Sequence, residues 1–434
     1  MNEINDSLQM LKAQAQAYIE NILKTCSLDM AESAKKYKAI ERAGETSDAK
    51  VLLLLLVIYA TSGVSLRILA VVGYLCSAVN VSDEAWRQRF LKCGTWVLFL
   101  LQNSLNSLAP TSLAFCHNGQ NMQVYLIDAT MFKQEGKTGC ELRVHMCYNL
   151  TKGAMEEVVV SDKHTAESAN TFAVRPGSLY LADAGYGKGV HLECIVSQNG
   201  YALFRVTPNQ VKLATDSNGK NSITLAKLFK TKKKLLDFHC FIHTKNKQYM
   251  PVRIIASRLP EDKALLARER KMRSSQKRQS QIREATLIFC QWVVLMTNVD
   301  SRHSAHSLLE LYRCRWQVEM LFKRIKQFFS VKRLRKGTLE HSKLLVTLWL
   351  FIWSAVEREA LEAEIRLIMR GEDISRYSPW VMAMLTFKQF ETIINAVWAL
   401  SYNLNLHLTY IYRLLRNHKA TRFNQYADLR RFLL

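Results

Sequence analysis

Residues 309–328 read LELYRCRWQVEMLFKRIKQF. At about 100° per residue on a helix, Tyr312, Arg315, Glu319 and Lys326 fall within roughly 60° of one another. One face then carries a carboxylate between two cations and a phenol, with Lys323 nearby. The opposite side offers Trp316, Met320, Leu321 and Ile325, enough apolar surface to dock the helix on a core. A carboxylate flanked by cations on a rigid element suits a site that takes metal and phosphate together. A surface helix laced with i,i+4 ion pairs has the same residues, so acids elsewhere in the chain must decide between the two readings.

Two such acids stand out upstream. VYLIDATMF (124–132) is an apolar strand with Asp128 in its middle, and RPGSLYLADAGYG places Asp183 after another apolar strand, just before a glycine-bearing turn. Aspartate is depleted in strand interiors, so Asp128 is a local inconsistency of the kind found at functional sites. ELRVHMCYNL and MEEVVVSD read as further strands, a helix is expected near Thr165, and YALFRVTP reads as one more strand. Three strands, a crossover and two strands make a mixed α/β sheet. Three carboxylates on rigid elements match the ligand set of a pair of divalent ions, Mg²⁺ or Mn²⁺, which clamp the attacking and leaving oxygens of an in-line phosphoryl transfer.

The long interval between Asp183 and Glu319 must be folded. It holds the basic run KLFKTKKKLLDF, the paired strands LDFHCFIHT and QYMPVRIIAS, a basic helical stretch over 263–283, and the strand WVVLMTN opened by Trp292. The lysines and arginines suit DNA phosphates, though a solvated basic face reads the same way. His239 and His243 share a strand face from which Cys240 points away, which argues against a zinc site.

Towards the N-terminus, residues 1–48 read as a polar helical lead-in. Beyond them a buried helix runs through Tyr59 to Gly63, Ser65 caps a second helix, and Ser82 caps a third, DEAWRQRFLK. This is a helix-turn-helix pattern over about 50–93, and its third helix offers Arg87, Gln88, Arg89 and Lys92 to DNA. From about residue 341 to 434 the chain is helical, with a basic end at Arg413, Arg416, Lys419, Arg422, Arg430 and Arg431.

Composition agrees with a nucleic-acid partner. The 434 residues are 49% apolar and 22% charged, with a formal charge of +23, a strong bias towards polyanions. Ten cysteines form no CxxC pair, the N-terminus MNEINDSLQM is unlike a secretory signal, and the apolar run 51–60 is too short to span a membrane. The expectation is a cytoplasmic protein with free thiols and no membrane partner.

Tyr312, Arg315, Glu319 and Lys326 fit the spacing Y-x2-R-x3-E-x6-K, and the chain resembles bacterial insertion-sequence DDE transposases of the cut-and-paste type that carry this YREK signature. IDAT resembles the first-aspartate block, RPGSLYLADAGY the second, MPVRIIASRL and QWVVLMTN the insertion strands, and SGVSLRILA the N-terminal helix-turn-helix, over roughly residues 45–345. Ala129 and Ala184 depart from the family, where glycine and arginine are frequent. The resemblance implies an RNase H-like core interrupted by a β-rich insertion, with helical N-terminal DNA-binding and C-terminal domains. The expected boundaries are 1–115, 116–209, 210–299, 300–340 and 341–434. It further implies that Asp128, Asp183 and Glu319 hold two divalent ions, and that Tyr312, Arg315, Lys323 and Lys326 attend phosphate. Trp292 would stack on a flipped base. The partners implied are double-stranded DNA, both terminal inverted repeats and target, and a second copy of the chain in a homodimeric complex on the bacterial nucleoid. A metal-dependent nuclease of the same fold and a non-catalytic DNA-binding regulator are the alternatives.

Overall fold

The apolar runs that read as strands assemble one mixed sheet. The structure, a computed structural model, describes residues 30–41, 48–77, 81–106, 115–117, 120–133, 142–207, 210–245, 248–329, 334, 337–373, 381–388 and 391–392. Strands β1 (Phe115–His117) and β2 (Gln120–Met122) pair as a small hairpin. After them come β3 (Val124–Phe132), β4 (Leu142–Asn149), β5 (Ala154–Asp162), β6 (Leu179–Ala182) and β7 (Tyr201–Arg205). β4 runs antiparallel to both β3 and β5, whereas β6 lies parallel to β3 and β7 parallel to β6. The strand order β5-β4-β3-β6-β7 puts β3 at the centre of this half, in the RNase H-like arrangement expected. No helix forms near Thr165; a single 3-10 turn, Ala169–Thr171, stands in the crossover.

The inserted stretch continues the same sheet. β8 (Leu213–Ala214), β9 (Ser222–Ile223), β10 (Leu235–His243), β11 (Tyr249–Arg258) and β12 (Trp292–Thr297) extend it in the order β7-β12-β11-β10-β8-β9. β12, the last inserted strand, pairs antiparallel with β7, the strand that precedes the insertion. The unpaired edge of β7 is thereby closed by hydrogen bonds, and one core runs from Tyr125 and Tyr180 through Phe204 to Val252 and Trp292.

By its contacts the chain forms two compact units, one of residues 108–327 and one of residues up to 107 with those from 328 onward. The second unit contains the helices Ala49–Ser62, Leu66–Ser77 and Asp83–Lys92. Asp48 and Ser82 cap two of them with side-chain hydrogen bonds, and Gly63 ends the first in a left-handed conformation (φ 68°) that favours glycine. The long helix Leu339–Met369 packs into the same unit: the Trp349 indole donates to the Ala60 carbonyl at 3.0 Å, and Arg358 donates to the Ser104 carbonyl at 2.8 Å. The helical regions at either end of the sequence thus build a common core. Residues 1–29 and 393–434, with the basic end from Arg413 to Arg431, lie outside the described residues.

Among the described residues no helix is long and apolar enough to cross a membrane, and Cys93, Cys147, Cys194, Cys240, Cys290 and Cys314 are free thiols.

Candidate active site

The register of two parallel strands brings the first two acids together. Ile127 pairs with Ala182, so Asp128 on β3 and Asp183, the residue that follows β6, come next to the last paired positions of two neighbouring strands. Asp128 is 9% exposed, and its Oδ1 accepts from the Ala129 amide at 2.8 Å. Asp183 Oδ1 accepts from the Gly185 amide at 2.7 Å, in the turn that follows β6. Burial, with the Asp183 charge beside it, pushes the Asp128 carboxyl up to about 7.

The signature stretch is two helices, Ala305–Arg313 and Trp316–Phe328, separated by a turn at Cys314 and Arg315. Its four residues therefore do not line a single helical face. Tyr312 is buried, and its hydroxyl donates to the Ala182 carbonyl, next to Asp183, at 3.2 Å. Its partner here is backbone rather than phosphate or carboxylate, and burial pushes the phenol up to about 12. Arg315, at the break, joins the acids: Nη1 lies 3.8 Å from Asp128 Oδ2 and Nη2 2.5 Å from Glu319 Oε1. Lys326 reaches across to β3 and donates to Thr130 Oγ1 at 2.5 Å, two residues beyond Asp128 and on the same strand face. Lys323 is exposed.

Val318, Leu321, Phe322 and Ile325 form the buried side of the second helix. Trp316, the first residue of this helix, is not part of that side, being 57% exposed. Trp292, expected to meet a flipped base, is 2% exposed and stacked on Phe229, with ring centroids 4.8 Å apart. It fills the core of the sheet, with no ring face open to a base. On the helix Asp83–Lys92, Arg87 is paired with Glu84 at 2.7 Å and Lys92 with Glu41 at 2.6 Å, while Arg89 is half-buried.

A carboxylate overlooked in the sequence, Glu167, lies in the crossover between β5 and β6. A Cβ at Gly185 would collide with Glu167 Oε2 and stand 3.0 Å from Asp183 Oδ1, so the two carboxylates face each other across a glycine. Burial and the Asp183 charge push the Glu167 carboxyl up. Tyr186, one residue on, is fully buried; its hydroxyl has no hydrogen-bond partner and feels the charges of Glu167, Asp128 and Asp183.

Hard carboxylate oxygens suit Mg²⁺ or Mn²⁺, and a guanidinium already bridges Asp128 and Glu319 where positive charge is wanted. Among the described residues no three acids, histidines or cysteines are gathered closely enough to hold a metal ion, and Glu319 is paired with Arg315. His239 bonds Ser301 at 3.0 Å, and Cys240 is buried. Elsewhere in this unit, Lys232, Lys234, Arg258 and Arg268 line a cleft of about 1000 Å³.

The family described as the transposase DDE domain matches residues 119–354. The chain is 27% identical over 354 residues to "Putative transposase InsL for insertion sequence element IS186A" of Escherichia coli (strain K12), covering 77% of this chain and 90% of that one. It is also 27% identical over 355 residues to "Transposase for insertion sequence element IS421" of Escherichia coli, with the same shares covered.

Proposed function

Because this chain belongs to the DDE transposase family, we propose that it cleaves the phosphodiester at the ends of an insertion sequence and joins the freed 3′-hydroxyl to target DNA. The observation that carries this reading is the register of β3 and β6, which sets Asp128 beside Asp183 with Arg315 linking Asp128 to Glu319.

The family implies a divalent metal; in this chain Asp128, Asp183 and Glu319 would hold Mg²⁺ or Mn²⁺, two ions in all. When bound, such ions stabilise charge on the entering and leaving oxygens of an in-line displacement. Water adds to the phosphorus in the first step, which frees a 3′-hydroxyl and leaves a 5′-phosphate. In the second step that hydroxyl displaces a target 3′-oxygen, so one phosphodiester is exchanged for another. Arg315 is placed to shift from carboxylate to phosphate, since its Nε and Nη1 are buried without hydrogen-bond partners, and a planar guanidinium matches phosphate geometry. Tyr312 fixes the end of β6, and Lys326 ties the second helix to the strand bearing Asp128. The cleft lined by Lys232, Lys234, Arg258 and Arg268 suits the phosphate backbone, and the helix Asp83–Lys92 is the proposed reader of the terminal repeats. A homodimer on paired ends, acting at the nucleoid, completes the reading.

The test is cleavage and strand transfer on labelled DNA carrying the element's own ends, in Mg²⁺ and in EDTA. Wild type should join 3′-ends only with metal, and Glu319→Ala should lose joining by 100-fold or more, about 3 kcal/mol in activation free energy, while still binding ends. Linear products without joining would assign a nuclease. Binding with no cleavage under any divalent ion would assign a regulator.

A further inference from the structure

Glu167 has no part in the three-acid site, yet its carboxylate is packed against the glycine that also borders Asp183 Oδ1. It is only half-buried, on an irregular segment between β5 and β6, and with Asp183 and Asp128 it makes three acids within electrostatic range of one another. Such packing of like charges is unfavourable until a proton or a cation is shared among them. Nearby positive charge comes from Arg143 and Lys188, but the Arg143 guanidinium is committed in part to the Thr165 carbonyl at 2.6 Å. A second feature belongs to the same cluster: the Tyr186 hydroxyl, fully buried and without a hydrogen-bond partner, lies one residue from Gly185 and within electrostatic range of Glu167, Asp128 and Asp183. A buried donor that bonds none of the three acids is suited to an oxygen of something held between them.

We propose that Glu167 is a fourth carboxylate of the catalytic site, which binds a divalent cation together with Asp183. This rests on the reading of Asp128, Asp183 and Glu319 as cation ligands. Gly185 is part of the device. Only a residue without a side chain lets the two carboxylates approach, and its collision partner is the flexible end of Glu167, so Gly185→Ala displaces Glu167 at little cost to the fold.

The experiment is titration of the full-length protein with Mn²⁺ alone, followed by electron paramagnetic resonance, for wild type, Glu167→Gln, Glu167→Asp, Gly185→Ala and Asp128→Asn. Melting in EDTA accompanies each titration. Glu167→Gln and Gly185→Ala should each weaken Mn²⁺ binding about tenfold or more, the range seen when supporting groups of a metal site are removed. Glu167→Asp should recover part of that loss. In EDTA, Glu167→Gln should melt at or above the wild-type temperature, because the repulsion from Asp183 is gone. Wild-type Mn²⁺ affinity in Glu167→Gln, with affinity lost in Asp128→Asn, overturns the role of Glu167 and leaves the three-acid site standing. Unchanged affinity in every variant overturns both. A lower melting temperature of Glu167→Gln in EDTA with unchanged Mn²⁺ affinity makes Glu167 a structural residue and likewise overturns the proposal.

Discussion

Asp128 stands in an apolar strand, 9% exposed, beside a second acid. In an unfolded chain its carboxyl titrates at about 3.9, whereas burial in the fold pushes it up to about 7. Between these values the folded protein holds a proton that the unfolded chain has released. The contribution to metal-free stability is thus complete below about pH 4 and is lost as pH rises through about 7. Asp128→Asn removes the titration, so in EDTA at pH 8 that variant should melt above wild type, with the gap closing by pH 5; differential scanning fluorimetry over this range is the check, and equal pH profiles would contradict it. Tyr312 makes the complementary point. Its hydroxyl satisfies a carbonyl at the end of β6, so Tyr312→Phe should cost about 1–3 kcal/mol of stability, the penalty for an unpaired buried acceptor, and leave DNA affinity within twofold. Lost DNA binding at unchanged stability would return Tyr312 to phosphate contact. At this scale Asp128 and Asp183 were readable because each interrupts or ends an apolar run. Glu167 was not, since it sits in an irregular segment and meets Asp183 only through the crossover geometry. Nor could the sequence distinguish a core tryptophan at 292 from a base platform, or show that Trp316 faces solvent, as both outcomes turn on tertiary packing.

Strands were legible as elements for the same reason that they are buried: β3 and β11 follow apolar runs bounded by polar or turn residues. The break in the signature stretch was not, because neither proline nor glycine marks Cys314 or Arg315. It is tertiary contact, Tyr312 to Ala182 and Arg315 to Asp128, that accompanies the departure from one continuous helix. The inserted strands also act at this scale. Arg253 on β11 is 2% exposed, pairs with Asp237 on β10 through two hydrogen bonds of 2.8 and 2.7 Å, and donates to the Asp300 and His303 carbonyls at 2.7 and 2.8 Å. The insertion thereby braces the loop that leads into the helix Ala305–Arg313. Asp237→Ala leaves a buried guanidinium without its counter-charge and should cost about 3 kcal/mol, the lower end for a broken buried pair because Asp237 is itself partly exposed. Chemical denaturation of the metal-free protein measures this, and a loss under about 1 kcal/mol would remove the bracing role.

The molecule as a whole carries +23, which was plain from the sequence, but where that charge is usable depends on the fold. On the helix Asp83–Lys92 some of it is met by Glu84 and Glu41. On the helix Glu261–Lys277, by contrast, Arg268, Arg270 and Lys271 are all exposed, with Ala264 and Ser275 the buried residues, and Arg268 also borders the cleft with Lys232, Lys234 and Arg258. Cations that neutralise phosphates release counterions from DNA, so the logarithm of the binding constant should fall linearly with the logarithm of salt concentration, with a slope of about 0.9 per phosphate contacted. Replacing Arg268, Arg270 and Lys271 together by alanine should lower that slope by about 2–3 on duplex DNA of any sequence. The three side chains are exposed, so the melting temperature should stay near that of wild type. Fluorescence anisotropy from 50 to 300 mM salt, about a sixfold range that moves affinity by orders of magnitude for several contacts, resolves such a change. A slope equal to wild type would assign this helix to a solvated face and leave phosphate binding to Lys232, Lys234 and Arg258, which also line the cleft.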